Sequence, residues 1–150
     1  ELYHQPYHDK LNALIQDKLK KFGQVWLIDA HSIASHPTRM HDKLDKHIYL
    51  GNRVGLSCED GWYEFMVSQF ESRGMSVSRN TPYKGGYITD HYGSNAAVQA
   101  VQIEMNQELY MDQDDPASGP THPNFATTQD KLKDLFAEMV GEIREIVPSK

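Results

Sequence analysis

Cysteine is almost absent: Cys58 is the single thiol in 150 residues. No intrachain disulfide can form, no Cys-x-x-Cys zinc site is possible, and a reducing, cytoplasmic compartment is expected. Long apolar runs are missing too. Nothing approaches the roughly eighteen residues a membrane span needs. Basic residues are in the minority, 15 Lys and Arg against 21 Asp and Glu. A net charge of −6 and a pI near 5.7 argue against nucleic acid as a partner. There is no block of like charge, internal repeat or low-complexity tract. No signal-peptide pattern is visible; the chain starts at Glu1 rather than Met, and removal of upstream sequence is expected. The length suits one domain or part of one, enough to bury a core. Histidine, by contrast, is plentiful, with eight residues.

The stretch Gln24-Val25-Trp26-Leu27-Ile28-Asp29-Ala30-His31-Ser32 carries the most information. Its apolar run follows a helix-stop glycine, Gly23, and reads as a central strand covered on both faces of an α/β sheet. The run ends in a carboxylate, an imidazole and a hydroxyl. Open α/β sheets bind ligands at that end of their strands. Side chains alternate along a strand, so Asp29 and His31 share a face. The alternative is a loop start whose polar residues simply meet water.

Upstream, Leu11, Leu14, Ile15, Leu19 and Phe22 recur at helical spacing, with Pro6 near the helix entry and lysines in the last turn. His4 and His8, four apart, could clip a metal, although hydrogen-bonded structural histidines fit the helix entry better. Residues 33–47 form a long polar stretch holding His36, His41 and His47, of the kind that is functional or mobile. Residues 48–51 read as a short strand, 62–70 as an amphipathic helix closing at Gly74, and 75–78 as a third strand. Residues 80–87, with Pro82 and Gly85-Gly86, read as a loop whose backbone can approach a ligand closely. An ordinary glycine turn is the alternative, and a phosphate cradle lacks both its glycine pattern and a helix start. Within residues 98–106, Val101, Ile103 and Met105 alternate with Gln102, Glu104 and Asn106 at a clean period of two. An edge strand facing water and a strand presenting Glu104 into a cleft would both look like this. A helical turn over 107–111 and an acidic, Pro-rich linker over 112–124 follow. A capping box at Thr127 and Asp130 then opens a long closing helix that Pro148 ends.

Four ordered segments together resemble the N-formylglutamate amidohydrolase family. They are Tyr3-His4-Gln5-Pro6-Tyr7-His8, Asp29-Ala30-His31-Ser32, Asn80-Thr81-Pro82-Tyr83-Lys84-Gly85-Gly86-Tyr87-Ile88-Thr89, and the run from Gln102 to Asp112. The resemblance implies an α/β fold, part of a mixed, mainly parallel sheet flanked by helices, similar to zinc carboxypeptidases (phosphorylase/hydrolase-like). It implies a zinc hydrolase that releases formate from N-formylglutamate in histidine breakdown. His31 would be a zinc ligand, Glu104 the general base or acid, and Asp29 the partner orienting His31. Ser32, Asn80, Tyr83, Gly85, Gly86 and Gln102 would form the substrate pocket for a small N-acyl amino acid.

One departure shapes the expectation for this chain. A catalytic zinc needs three protein ligands, and in the resembled pattern a histidine and a carboxylate precede the ligand after the strand. None of the eight histidines begins a His-x-x-Glu or His-x-x-Asp pair, and the family's asparagine–arginine pair for the substrate carboxylate has no counterpart. The 150 residues are therefore expected to be the carboxy-terminal part of one amidohydrolase domain, with the amino-terminal half missing, poor at binding zinc and inactive alone. A binding or structural module that keeps the fold is the competing class.

Overall fold

The first helix ends where its glycine requires. α1 (His4–Phe22) buries Ile15 and stops at Gly23, whose φ of 79° lies in the left-handed region that a Cβ penalises. The Gly23 amide donates to the Leu19 carbonyl at 2.8 Å, and Lys20 and Lys21 stand in the last turn, where the helix dipole favours cations. Pro6 occupies the third helical position, where a missing N–H costs nothing. The computed structural model describes residues 2–39 and 41–146.

Four strands form one mixed sheet in the order β1-β4-β2-β3: β1 (Val25–Ile33), β2 (Ile48–Gly51), β3 (Val77–Arg79) and β4 (Val98–Asn106). β1/β4 and β2/β3 are parallel, while β2/β4 is antiparallel. The expectation of a central β1 is corrected. Among the described residues β1 lies at the edge of the sheet and is half-buried, whereas β4 is central and buried along all but Met105. The polar alternation of β4 comes from side chains that find partners inside the protein. β3 begins two residues later than its pattern suggests, because Met75 is buried and its amide closes onto the Phe70 carbonyl at 3.1 Å.

Helices cover both faces. α2 (Asp60–Glu71) and α4 (Phe125–Ile146) pack Trp62, Met66, Phe70, Leu135 and Met139 against Ile48, Leu50, Val101 and Ile103. On the other face α1 and a short α3 (Tyr87–Gly93) bury Ile15 and Tyr92 against Val98 and Ala100. The sequence pattern does not announce α3, whose seven residues are too few to show a period and whose N-terminus has no side-chain cap. α4 starts at Phe125, so Thr127 lies inside its first turn and the expected capping box does not form there. Thr128 instead donates its hydroxyl to the Leu109 carbonyl at 2.9 Å. Pro148 lies outside the described residues. Among the described residues no helix is long and apolar enough to cross a membrane.

The α1–α3 contact is expected to respond to pH through His8. His8 Nδ1 lies 2.9 Å from the Tyr92 hydroxyl, and the ring packs among His4, Tyr87 and Tyr92. Desolvation, then the neighbouring His4 and His91, lowers the His8 pKa from 6.5, with Asp9 opposing. The folded state thus binds fewer protons than the unfolded chain. Stability is fully present above pH 6.5 and declines as pH falls below it. Amide exchange along α1, corrected for its intrinsic pH dependence, should be faster at pH 5.5 than at 7.5. Equal protection at both would show that His8 is uncoupled from helix docking.

Candidate active site

Along the α1/α3 face of the sheet the side chains change from apolar to polar toward the carboxyl ends of β1 and β4. On the α1/α3 face Val25, Leu27, Val98 and Ala100 are covered by the helices. Continuing along the same face come Asp29 and His31 of β1 and Gln102, Glu104 and Asn106 of β4. The register sets His31 beside Glu104 and Glu104 beside Tyr49 of β2, with Asp29, Gln102 and Gly51 in the next row.

His31 Nε2 is 2.8 Å from Asp29 Oδ1, which commits that nitrogen and leaves Nδ1 to face a ligand. A carboxylate behind an imidazole is how metal-ligating histidines are commonly oriented. The Asp29 side chain is mostly buried and that of His31 half-exposed. Glu104 is buried, and its Oε1 accepts from Gln102 Nε2 at 2.8 Å. Burial pushes the Glu104 pKa above the ordinary 4.5; His31 and the Gln102 hydrogen bond oppose this, and Asp29 adds to it. A carboxylate that holds a proton more readily than usual suits acid–base work near neutrality.

The glycine loop lies directly over this row. Gln102 Oε1 accepts from the Gly86 amide at 2.6 Å. The Gly51 backbone meets Lys84 and Gly85 so closely that a Cβ on Gly51 would sit 2.5 Å from their backbone atoms. Tyr83 packs edge-on against Tyr49 and His41, at 6.3 and 5.8 Å. Burial, then Glu104 and Tyr49, raises its pKa.

Not every expected site residue joins the cluster. Ser32 alternates to the opposite face beside Met105, and its hydroxyl accepts from Gln107 Nε2 at 3.4 Å. Asn80 spends its amide on the chain itself: Oδ1 accepts from the Asn52 and Val54 amides, and Nδ2 donates to Asn52 Oδ1 at 2.9 Å. These bonds brace the left-handed backbone of Arg53, Val54 and Asn80. Gln102 has both ends of its carboxamide engaged. His36 lies 3.7 Å from Asp114, His41 Nδ1 contacts the Asp42 carbonyl, and His47 Nδ1 accepts from the Ser76 amide. Those three histidines each have such a partner, and the His41 ring also packs on Tyr83.

Two residues escape a reading of the sequence. Tyr49 enters the row through the antiparallel β2/β4 pairing, which no local pattern announces. Arg53 pins the loop through its amide to the Lys84 carbonyl at 2.7 Å and its guanidinium to Asp90 at 2.9 Å.

Among the described residues no group of three or more His, Cys, Asp or Glu side chains could hold a metal ion. The donor set fits one corner of a zinc site: a carboxylate-oriented imidazole with a buried carboxylate beside it. It does not complete a three-ligand site.

Comparison with known proteins identifies the family. The profile of the N-formylglutamate amidohydrolase family matches residues 1–111. The chain is 37% identical over 114 residues to the N-formylglutamate deformylase of Pseudomonas putida, covering 75% of this chain and 43% of that protein. It is 35% identical over 117 residues to the N-formylglutamate deformylase of Pseudomonas aeruginosa, covering 74% and 42%. The crystal structure of N-formylglutamate amidohydrolase from Ralstonia eutropha JMP134 superposes with a TM-score of 0.81 at 28% identity, covering 97% of this chain and 52% of that one. The chain thus spans about half the length of the proteins it matches, or somewhat less.

Proposed function

Since the chain belongs to the N-formylglutamate amidohydrolase family, we propose that it supplies part of the active site of an N-formylglutamate deformylase. The reaction is hydrolysis of the N-formyl amide of N-formyl-L-glutamate to formate and L-glutamate. The observation that carries this reading is the row of β4 and β1. Glu104, buried and raised in pKa, stands beside an imidazole already oriented by Asp29.

His31 would hold zinc through Nδ1, with further ligands from the part of the relatives' length that lies outside the match. When bound, zinc would polarise the formyl carbonyl and bring the pKa of water to about 7. The residues of this chain would carry the proton transfer and wall part of the pocket. Glu104 takes a proton from the attacking water and passes it to the glutamate nitrogen as the C–N bond breaks, worth about a hundred- to ten-thousand-fold. Asp29 keeps the His31 ring in place. Tyr83 and the Gly85-Gly86 backbone wall the space over Glu104. A small, soluble substrate and one buried thiol make the cytoplasm the proposed compartment.

A second reading, a catalytically incomplete fragment or a non-enzymatic module, is favoured by the lack of a three-ligand group among the described residues. Metal analysis and formate release from N-formylglutamate separate the two. The 150-residue chain should hold well under one zinc and release no formate, while a chain extended to the relatives' full length should bind zinc stoichiometrically and release formate. An extended chain that binds zinc without releasing formate would overturn the deformylase reading. Stoichiometric zinc and turnover in the 150 residues alone would show that the site is complete within them.

A further inference from the structure

The carboxamide of Gln102 is a buried strut with a fixed direction. Gly86 N–H can only donate, so it must meet Oε1, and it does so at 2.6 Å. That leaves Nε2 to donate to Glu104 Oε1 at 2.8 Å. A flipped amide would set N–H against N–H at one end and oxygen against carboxylate at the other. Gln102 is buried, and its register neighbour Gly51 has no side chain to hold the loop away. A Cβ on Gly86 would stand 3.4 Å from Gln102 Oε1, so the loop backbone rests on the amide itself.

We infer that Gln102 is a positioning residue: it ties the Gly85-Gly86 loop to Glu104, so that the loop and the carboxylate are placed as one unit. This departs from a substrate-binding role, because each end of the amide is already hydrogen-bonded within the chain. It rests on the reading of Glu104 as the proton-handling group. Seating of substrate on the loop and alignment of the carboxylate are then one event. Loss of the strut lets Glu104 turn away from its working direction, and small misplacements of reacting groups cost about a hundredfold.

The test is a double-mutant cycle in the full-length enzyme with an activity-independent readout in the 150-residue chain. Gln102→Met keeps the length and removes both hydrogen bonds. It should lower kcat about ten- to a hundredfold with KM nearly unchanged, and add little further loss on a Glu104→Gln background. A raised KM with unchanged kcat would make Gln102 a substrate contact and overturn the inference. Full additivity of the two substitutions would do the same. In the 150-residue chain, Gln102→Met should abolish exchange protection of the Gly86 amide while Val101 and Ile103 stay protected. Gln102→Glu restores an acceptor for Gly86 but sets a second carboxylate against Glu104, so it should recover Gly86 protection without recovering kcat. Gly86 protection that is indifferent to both variants would refute the tether. A full-length enzyme with no deformylase activity would instead sink the functional reading alone, since the exchange measurement decides the tether separately.

Discussion

On the deformylase reading proposed above, Glu104→Gln in a chain extended to the relatives' full length should retain zinc and lose about a hundred- to ten-thousand-fold in kcat. The amide matches the carboxylate in shape and still accepts from Gln102 Nε2, so the strut to the glycine loop survives. What disappears is the ability to take and return a proton. The same substitution should not destabilise the fold. Burial raises the Glu104 pKa, so the folded state binds its proton more tightly than the unfolded chain. Whatever Glu104 contributes to stability is then complete below pH 4.5 and is lost as pH rises through the raised value. At pH 7 the buried carboxylate is a cost that Gln lacks. Denaturation midpoints should therefore favour the Gln variant more at pH 7 than at pH 4, in keeping with active sites that give up stability for function. Near-normal turnover in a zinc-loaded Glu104→Gln enzyme would assign the base elsewhere.

The largest structural effect is expected from one added methyl group. At Gly51 a Cβ would lie 2.5 Å from Lys84 C and Gly85 N and 2.8 Å from Lys84 O. These are backbone atoms, pinned by the hydrogen bond from the Arg53 amide to the Lys84 carbonyl, and cannot rotate aside. Gly51→Ala must either lift the loop off Gln102 or push β2 away from β4. A cost of about 1–3 kcal/mol is expected, with loss of Gly86 exchange protection and a drop in activity of about a hundredfold in the full-length enzyme. Gly141 is the matched control. It sits within α4, where an added Cβ would meet nothing within 4 Å, so Gly141→Ala should stabilise by about 0.5–1 kcal/mol. Urea denaturation of both variants decides the matter. Equal stability for the two would show that the loop yields freely and that Gly51 is not required for its placement.

The two sites differ in what could be anticipated. Asp29 and His31 share a face by the two-residue repeat alone, and the rotamers they adopt there close the 2.8 Å contact. The same repeat, carried one residue further, turns Ser32 away. The second half of β4 is visible because Val101 to Asn106 alternate regularly, but the meaning of that alternation is not: Gln102, Glu104 and Asn106 are buried. A side chain satisfied by a partner inside the protein reads identically to one satisfied by water.

Local chemistry in the sequence therefore determined α1 and its stop at Gly23, the presence of α2 and α4, the short strand β2, the second half of β4 and the shared face of Asp29 and His31. Each depends on residues within a turn or two of each other, where periodicity, caps and glycine conformations act. Tertiary structure alone decided that β4 is central and β1 lies at the edge, that Tyr49 stands beside Glu104, that Asn80 braces the turn at residues 52–54, and that Gln102 joins the glycine loop to the carboxylate. Those contacts link residues from 16 to 73 positions apart, and their partners are selected by strand order and packing, which no local pattern encodes.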